Sequence, residues 1–169
     1  QPTVVPHSVG QHSRAGVTTF LLTYPRFIHP QMMTHRMCAR NAQSSRAVPV
    51  RRMIDQVRDD PVIPISFLAN QRGMVGGDEV ADPDRARREW VRAARSAASS
   101  AEELSSIGLH KQHCNRVLEP FLTITSVFTF QDVWLEHFFG LRMGDDAQPE
   151  IQTLANAMLQ ALASSPPSV

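Results

Sequence analysis

The sequence predicts a mixed α/β (α+β) fold in a single compact domain that spans residues 1–169. Its hydrophobic fraction of 42% is enough for a packed core, which excludes an intrinsically disordered chain. Two segments, 17–24 and 121–130, are rich in β-branched and aromatic residues and are typical of strands. Other segments carry helix start and stop signals, and no repeat or linker divides the chain. Strands and helices are therefore expected in one domain.

The two ends of the chain are expected to be less ordered than the segments between them. Residues 1–16 are polar and contain prolines, which is typical of a loosely tied arm or a short edge strand. The strand at 17–24 ends at Pro25. Residues 30–41 contain good helix formers behind an initial proline, so a helix is expected there. The tail at 164–169 is expected to be frayed.

A loop and a glycine-rich turn lie in the middle of the chain. Residues 42–50 are small and polar, and Pro49 disfavours a helical conformation at Val48, so a loop is predicted. Residues 50–57 fit either a short helix or a short strand. The glycines of 70–77 indicate a turn.

The second half is predicted to be mostly helical around one strand. A long helix begins with Asp82 as its N-cap and Pro83 in its first turn, and Gly108 suits its C-terminal cap. Alternating apolar residues predict the strand at 121–130. Three shorter helices are expected at 109–118, 132–141 and 149–162.

Charge and cysteine content limit the class of protein. The chain has 17 basic and 16 acidic residues, and this net charge of +1 argues against a basic nucleic-acid clamp. No apolar run approaches the roughly 20 residues that span a bilayer, and no segment has the pattern of a signal peptide. Cys38 and Cys114 are too few for a disulfide framework and are expected to be buried thiols. A soluble, cytoplasmic protein without nucleic-acid or membrane partners is therefore expected.

Three polar clusters could carry chemistry. The first, at 34–46, combines hydroxyls, backbone N–H groups and guanidinium groups, which suit a phosphate monoester. A solvated helix end with an ordinary serine loop is the alternative, and spacing alone favours it. The second, at 110–119, places Arg116 and Glu119 on one helix face, where a simple surface ion pair is the alternative. The third cluster lies at 136–150, and the alternative there is an ordinary polar connection between helices. All basic residues but one are arginines, so an anion site here would consist of guanidinium groups.

Several common catalytic motifs are absent from the sequence. It contains no P-loop, no G-x-G-x-x-G fingerprint and no G-x-S-x-G elbow. No pair of residues has the tight His-x-x-x-His or Cys-x-x-Cys spacing of a metal motif, so no metal site is predicted. Neither cysteine has an identifiable orienting group, so a cysteine nucleophile is not expected.

Three segments occur in a recognisable order and spacing. They read THRMCARNAQSSRAVPV at 34–50, KQHCNRVLEPF at 111–121 and WLEHFFGLRMGDDAQPEI at 134–151. In this arrangement the chain resembles the flavin-dependent thymidylate synthase (ThyX) family, over about residues 17–163.

Two motifs carry the resemblance. The family signature is R-H-R, seven residues and a serine, and here it reads Thr34-His35-Arg36, seven residues and Ser44. The more specific C-terminal pattern, L-R…A-Q-x-E-I, is satisfied by Leu141, Arg142, Ala147, Gln148, Glu150 and Ile151.

The resemblance implies a homotetramer of α/β subunits whose active sites lie where subunits meet. Each site would hold FAD, a uridine nucleotide and a folate, and the reaction would methylate the uracil C5. Methylene-tetrahydrofolate would supply the carbon, NADPH would reduce the flavin, and reduced flavin would supply the hydride. Family members are thought to need no enzyme nucleophile, so arginines are expected to act by electrostatic stabilisation.

The resemblance also implies roles for individual residues. Substrate-binding positions are matched by Gln31, Ser44, Ser45, Arg46, Arg116 and Arg142. Arg46 and the two serines would take the phosphate and Arg142 would face the uracil edge; the expected catalytic residues are Arg142, Arg116 and Ser44. Cofactor-binding positions are matched by His35, Arg36, Met37, Gln131, His137 and Asp146, the last three in place of Asn, Asn and His. The folate is expected near His35 and the flavin ring.

Three positions depart from the family pattern. Thr34 replaces the first signature arginine, His137 replaces an amide, and Ala42 replaces a glutamate. The smaller side chain at Ala42 leaves room for a ribose 2′-OH, so UMP is expected to be preferred, with dUMP also accepted. Such a specificity would resemble that of a related UMP methylase of nucleoside-antibiotic biosynthesis.

Three alternatives remain open at this point. The first is an ordinary flavin-dependent thymidylate synthase that makes dTMP from dUMP. The second is a related flavin enzyme that adds a hydroxymethyl group to a pyrimidine nucleotide. The third is a nucleotide- or flavin-binding protein without turnover.

Overall fold

The computed structural model describes residues 2–9, 16–74 and 76–167. The chain folds as two units. The first, here called the sheet unit, comprises Gln1–Tyr24, Ile28–Ala42 and Ile124–Val169. The second, the helical unit, comprises Pro25–Phe27 and Gln43–Thr123. The mixture of helices and strands confirms the α+β class, whereas the single domain over 1–169 stays a prediction.

A four-stranded sheet in the order β1-β2-β4-β3 forms the centre of the sheet unit. Its strands are β1 (Pro2–Val9), β2 (Gly16–Pro25), β3 (Cys38–Ala42) and β4 (Thr123–Gln131). The pairs β1–β2 and β3–β4 are antiparallel. Between β2 and β4, Thr19 bonds Thr129 at 2.8 Å and Thr23 bonds Thr125 at 3.1 Å, so these strands also run in opposite directions. Of the two alternatives expected for 1–16, the edge strand is the one that β1 forms, and residues 1 and 10–15 lie outside the described residues.

Six α-helices accompany the sheet in the described residues. They are α1 (His29–Met32), α2 (Val50–Asp59), α3 (Pro83–Ser106), α4 (Lys111–Leu118), α5 (Asp132–Arg142) and α6 (Pro149–Ala163). In the sheet unit, α6 packs against β1 and against α5. In the helical unit, α2, α3 and α4 pack against one another. None of the described helices has the length and apolar character needed to cross a membrane.

Aromatic residues form the core of the sheet unit because β2 and β4 alternate between buried and exposed side chains. Phe20 on β2 and Phe128 and Phe130 on β4 are almost fully buried. The rings of Phe20 and Phe130 meet edge to face at 6.4 Å, and Phe138 of α5 lies 5.5 Å from Phe130. The predicted strands therefore exist and face the core with the expected period of two.

The long helix α3 follows its sequence signals closely. The Asp82 carboxylate accepts a hydrogen bond from the Arg85 N–H at 2.8 Å, as expected of an N-cap. Beyond its C-terminus, Gly108 has a φ of +82°, a conformation that favours glycine. The buried face of α3 consists of alanines at helical spacing, which lets α2 and α4 approach closely: Ala94, Ala98 and Ala101.

The helix predicted at 30–41 is wrong. Helix α1 ends at Met32, and the chain then forms β3, which pairs with β4 from Cys38↔Phe130 to Ala42↔Ser126. The Thr34 hydroxyl donates to the Gln31 carbonyl at 2.7 Å, and this local bond competes with a further helical turn. Pairing with β4 outweighs the helix propensity of the segment.

Smaller differences concern element bounds. Residues 50–57 form a helix rather than a strand, and the helix expected at 109–118 begins at Lys111. The strand expected at 121–130 begins two residues later, because Phe121 belongs to a 3-10 turn. In the tail, the Ser165 carbonyl bonds the His7 ring at 2.8 Å, so the described part of the tail is tied to β1.

Candidate active site

Four residues of the sheet unit form a cluster around one guanidinium group. We call Gln31, Thr34, His35 and Arg142 the Arg142 cluster. Arg142 lies at the C-terminal end of α5, and the other three lie in α1 and in the loop that follows it. Arg142 Nε donates to His35 Nε2 at 2.8 Å, and its Nη2 donates to Thr34 Oγ1 at 3.0 Å and to the Gln31 carbonyl at 3.4 Å. The cluster therefore brings together both family motifs.

The His35 ring is held in its neutral form. Because Nε2 accepts a bond from Arg142, the ring proton belongs on Nδ1. Phe138 packs against the ring, with centroids 4.7 Å apart. Burial, followed by the positive charges of Arg142, His137 and Arg40, lowers the pKa of His35 to about 4. His35 and Arg36 were expected on a helix, but both lie in the loop before β3.

The lowered pKa of His35 predicts a loss of stability in mild acid. Between the ordinary pKa of 6.5 and the folded-state value of about 4, the unfolded chain binds a proton that the folded chain does not. The free energy of unfolding should therefore fall as the pH falls through this window. We expect His35→Gln to have a shallower pH dependence than the wild type in urea unfolding at pH 4.5 to 7.

The control for that experiment removes an exposed histidine. His113 bonds the neighbouring Gln112 side chain at 3.0 Å on the surface of α4. His113→Gln should keep the wild-type slope between pH 4.5 and 7. A His35→Gln slope equal to that of the wild type would show that His35 does not carry the effect.

The Arg142 cluster borders a cleft of about 270 Å³ in the sheet unit. The cleft combines guanidinium and imidazole groups with apolar side chains. Its lining residues are Thr34, His35, Arg36, Met37, Phe130, Trp134, His137, Leu141 and Arg142. Such a mixture suits a flat, partly polar ring.

The cleft gathers only some of the residues expected to bind a cofactor. His35, Arg36, Met37 and His137 line it. The other two, Gln131 and Asp146, are exposed and are not among its lining residues.

Trp134 also lines the cleft, although it was not among the site residues expected from the sequence. Its ring lies 6.4 Å from that of His137 in an edge-to-face arrangement. Trp134, His137 and Leu141 are spaced by three and four residues on α5, so they share one helix face. Because His137 was an expected cofactor-binding residue, this helical spacing was the sequence pattern that could have indicated Trp134.

Gln31 is joined to the C-terminal motif. Its side-chain amide donates to the side-chain oxygen Oε1 of Gln148, and the Gln148 side-chain amide donates to Glu150 Oε2 at 2.8 Å. Glu150 is only 4% exposed at the start of α6. The predicted substrate residue Gln31 therefore lies against the A-Q-x-E-I motif in the sheet unit.

A second cluster, in the helical unit, surrounds one carboxylate. We call Arg26, Ser45, Arg116 and Glu119 the Glu119 cluster. Glu119 Oε1 accepts bonds from Arg26 Nη2 at 2.9 Å, Ser45 Oγ at 2.9 Å and Arg116 Nη1 at 3.0 Å. Two guanidinium groups thus share one carboxylate, which leaves a local excess of positive charge. The Arg116–Glu119 pair that sequence spacing suggested is present; Arg26 was not expected.

The serine loop next to this cluster has two different hydroxyls. Ser45 is 5% exposed and donates its proton to Glu119, so it can only accept from a ligand in this arrangement. Ser44 is exposed, and its Oγ accepts from the Arg46 N–H at 3.3 Å, which leaves its proton free to donate. The buried Asn115 amide fixes the loop by donating to the carbonyls of Ser45 and Val48. Of the two hydroxyls, that of Ser44 is therefore the one with a proton left to donate to a ligand.

The two cysteines have the surroundings of ordinary thiols. Cys114 is fully buried on α4 and donates to the Leu109 carbonyl at 3.3 Å. Cys38 is half-buried on β3 rather than on the predicted helix, and burial raises its pKa. The raised pKa of Cys38 favours its protonated thiol over a nucleophilic thiolate.

The family relationship is given by a sequence profile. The profile of the family described as "Thymidylate synthase complementing protein" matches residues 6–168, which is nearly the whole chain. The chain belongs to this family. Membership confirms the predicted flavin-dependent thymidylate synthase family and an enzyme that methylates C5 of a uridylate. No curated protein sequence matches this family member significantly.

Two solved structures are similar to this family member. Both are of the UMP/dUMP methylase PolB from Streptomyces cacaoi, one bound with 5-Br UMP and one with 5-Br dUMP. The first has a TM-score of 0.71 and 22% identity over 88% of this chain and 68% of that chain. The second has a TM-score of 0.71 and 23% identity over 88% and 67%. At these identities the likeness shows a shared fold.

Proposed function

We propose that this enzyme methylates C5 of UMP and of dUMP, with UMP preferred. Methylene-tetrahydrofolate donates the carbon, NADPH is the reductant, and the bound cofactor is FAD. The similar PolB structures hold brominated analogues of both nucleotides, which supports a uridylate substrate. In the overall reaction, a carbon–carbon bond forms between C5 and the methylene carbon, and the two bonds from that carbon to the folate nitrogens break. The C5 proton leaves, a hydride from the reductant completes the methyl group, and the folate leaves as tetrahydrofolate with protons on its two nitrogens.

The main support for the proposal is the hydrogen bonding of the Arg142 guanidinium, which leaves two of its N–H groups for a substrate. His35 and Thr34, with the Gln31 carbonyl, occupy its Nε and Nη2 hydrogens. Within the part of the chain that the structure describes, no group bonds its Nη1. Those two N–H donors are thus left for a substrate at the border of the cleft. Donated to a uracil oxygen, they stabilise the negative charge that develops there when C5 acts as a nucleophile.

The cleft fits the flat part of a flavin but not the whole of FAD. Its volume of about 270 Å³ lies just below the usual range of small-molecule sites, which begins at about 300 Å³. His35, Trp134 and His137 would hold the ring between aromatic groups, and Arg36 would meet its polar edge. When bound, reduced flavin supplies the hydride. Assembly as a homotetramer is part of the proposal, since so small a cleft needs further walls.

Phosphate binding is assigned to residues of the helical unit. Ser44 keeps a free hydroxyl proton, and the exposed Arg46 follows it by two residues. Arg116 is 59% exposed and shares Glu119 with Arg26, so the local charge remains positive. Guanidinium and hydroxyl donors together suit a phosphate monoester.

The test is the release of C5-hydrogen from labelled UMP and dUMP, measured side by side. The purified protein is supplied with FAD, NADPH and methylene-tetrahydrofolate. Faster release from UMP, with a product heavier by one methylene group, supports the proposal. Faster release from dUMP assigns a thymidylate synthase and contradicts the sugar preference. An added oxygen in the product indicates hydroxymethylation, and release from neither nucleotide refutes the proposed function.

A substitution at Ala42 tests the sugar preference. Ala42 is the half-buried last residue of β3 and lies on the same strand face as Arg40. We expect Ala42→Glu and Ala42→Gln to lower the UMP-to-dUMP ratio of kcat/KM by about tenfold or more, because either side chain fills the space of a 2′-OH. Ala42→Ser, the small control, should keep the wild-type ratio. An unchanged ratio in Ala42→Glu would show that this position does not read the sugar.

A further inference from the structure

The Arg142 cluster assigns a role to Thr34, the residue that departs from the family signature. We propose that Thr34 is a positioning residue, which fixes the orientation of the Arg142 guanidinium so that its Nη1 group serves the uracil ring. This inference rests on the proposed function for the identity of the substrate. The orientation itself is a property of the free protein.

The hydrogen bonds of the Thr34 hydroxyl determine which partner receives its proton and which partner faces its lone pairs. A hydroxyl has one proton, and Thr34 Oγ1 donates it to the Gln31 carbonyl at 2.7 Å. Its lone pairs must therefore face Arg142 Nη2, which lies 3.0 Å away. Arg142 Nη2 also reaches the same Gln31 carbonyl at 3.4 Å. The three groups form a closed arrangement in which each polar atom has a fixed role.

His35 holds the opposite side of the same fork. It accepts from Arg142 Nε, and its own position is fixed by the Phe138 ring and by its backbone. The His35 carbonyl accepts from Cys38 Sγ at 3.2 Å and from the Arg40 guanidinium. The positively charged or titratable groups that face His35 are Arg142 and His137 from α5 and Arg40 from β3. All of them oppose protonation of the ring, so it remains an acceptor.

Two anchors are required because the guanidinium can rotate. With a hydrogen bond at Nε alone, the aliphatic torsions of the side chain still let the guanidinium plane tilt about that hydrogen bond. The group is planar by delocalisation, so bonds at both Nε and Nη2 fix the orientation of its plane, and Nη1 then points in one direction. A catalytic donor that is correctly oriented before the reaction raises the rate by a large factor, and a small misplacement of the donor lowers the rate markedly. Thr34 therefore supplies orientation without touching the substrate.

Two variants of Thr34 distinguish the effect of its hydroxyl on the orientation of Arg142 from the effect of its side-chain shape. Thr34→Val has nearly the same volume but has no hydroxyl, whereas Thr34→Ser keeps the hydroxyl and loses a methyl group. We expect Thr34→Val to lower kcat by about tenfold or more while the KM for the nucleotide changes by less than about threefold. Thr34→Ser should restore most of the wild-type kcat. An equal loss in both variants would overturn the proposal, because it would make the methyl group decisive.

A second readout needs no substrate or cofactor. In protein with ¹⁵N-labelled arginine, the Arg142 Nε–H resonance is assigned by its loss in Arg142→Lys. We expect Thr34→Val to shift or broaden this resonance at pH 7 and Thr34→Ser to leave it in place. An unchanged resonance together with a wild-type kcat in Thr34→Val would overturn the positioning role. Circular dichroism shows whether each variant is folded.

The two readouts also separate this inference from the proposed function. If wild-type protein releases C5-hydrogen from neither nucleotide, the proposed function fails. The resonance of Arg142 then still reports whether Thr34 orients the guanidinium. If the wild type is active and Thr34→Val matches it in both kcat and resonance, the proposed function stands and the role of Thr34 fails.

Discussion

Arg142→Gln is expected to lower kcat/KM for uridylate methylation by about 100-fold to 1000-fold, as for removal of a key oxyanion donor. The loss follows because two N–H donors of this guanidinium bond no group in the described part of the chain and are left at the border of the cleft. Glutamine keeps some polarity but carries no positive charge. The measurement is C5-hydrogen release under saturating reductant and folate, with the nucleotide concentration varied.

Two further variants make the result specific. Arg142→Lys keeps the charge but lacks the planar fork that bonds His35 and Thr34 from two separate nitrogens, so we expect an intermediate loss. Arg92→Lys, at an exposed arginine paired with Glu89 on α3, should keep the wild-type rate. Activity of Arg142→Gln within about threefold of the wild type would remove Arg142 from the catalytic group.

Phe128→Ala is expected to lower the free energy of unfolding by about 3–5 kcal/mol, as for other buried phenylalanines. Phe128 is fully buried on β4, pairs with Arg40 on β3 and stacks on Phe130 at 6.1 Å. Its removal leaves a cavity between aromatic rings that cannot easily close. This loss is a large share of the roughly 5–15 kcal/mol that stabilises a typical domain. Urea unfolding at fixed protein concentration measures it.

The matched control is the next residue on the same strand. Val127 is 38% exposed and faces away from Phe128, so Val127→Ala should cost less than about 1 kcal/mol. Equal losses in the two variants would contradict the assigned facing of β4. The same pair tests the alternation from which the strand was predicted.

Local sequence patterns were sufficient for most of the secondary structure. β-Branched and alternating apolar residues predicted β2 and β4, and the capping signals at Asp82 and Gly108 predicted both ends of α3. The failure at 30–41 has an instructive cause. That segment has helix formers, but every residue of β3 pairs with a residue of β4, which is distant in sequence. A pattern read within one segment contains no information about such a partner.

The candidate site likewise contains some residues that the sequence motifs identified and others that only the structure revealed. The family motifs contained Thr34, His35 and Arg142, and the profile match confirms the family to which those motifs pointed. The roles carried over to single residues stay predictions. Trp134 was within reach of a helical-spacing argument, whereas Arg26 was not, because its partner Glu119 lies far along the chain.

Residue types and short-range spacing predicted an α+β protein, because strand and helix periods and caps extend over a few residues. The family was indicated by the resemblance of short motifs to those of the flavin-dependent thymidylate synthases, and the profile match confirms it. The orientation of Arg142 required the folded chain, since its bond to His35 joins residues 107 positions apart. Which hydroxyl keeps its proton, Ser44 or Ser45, likewise depended on Glu119, 74 positions beyond Ser45. Hydrogen-bond partners at such separations are selected by packing of the whole chain, and each one changes what a side chain can still donate.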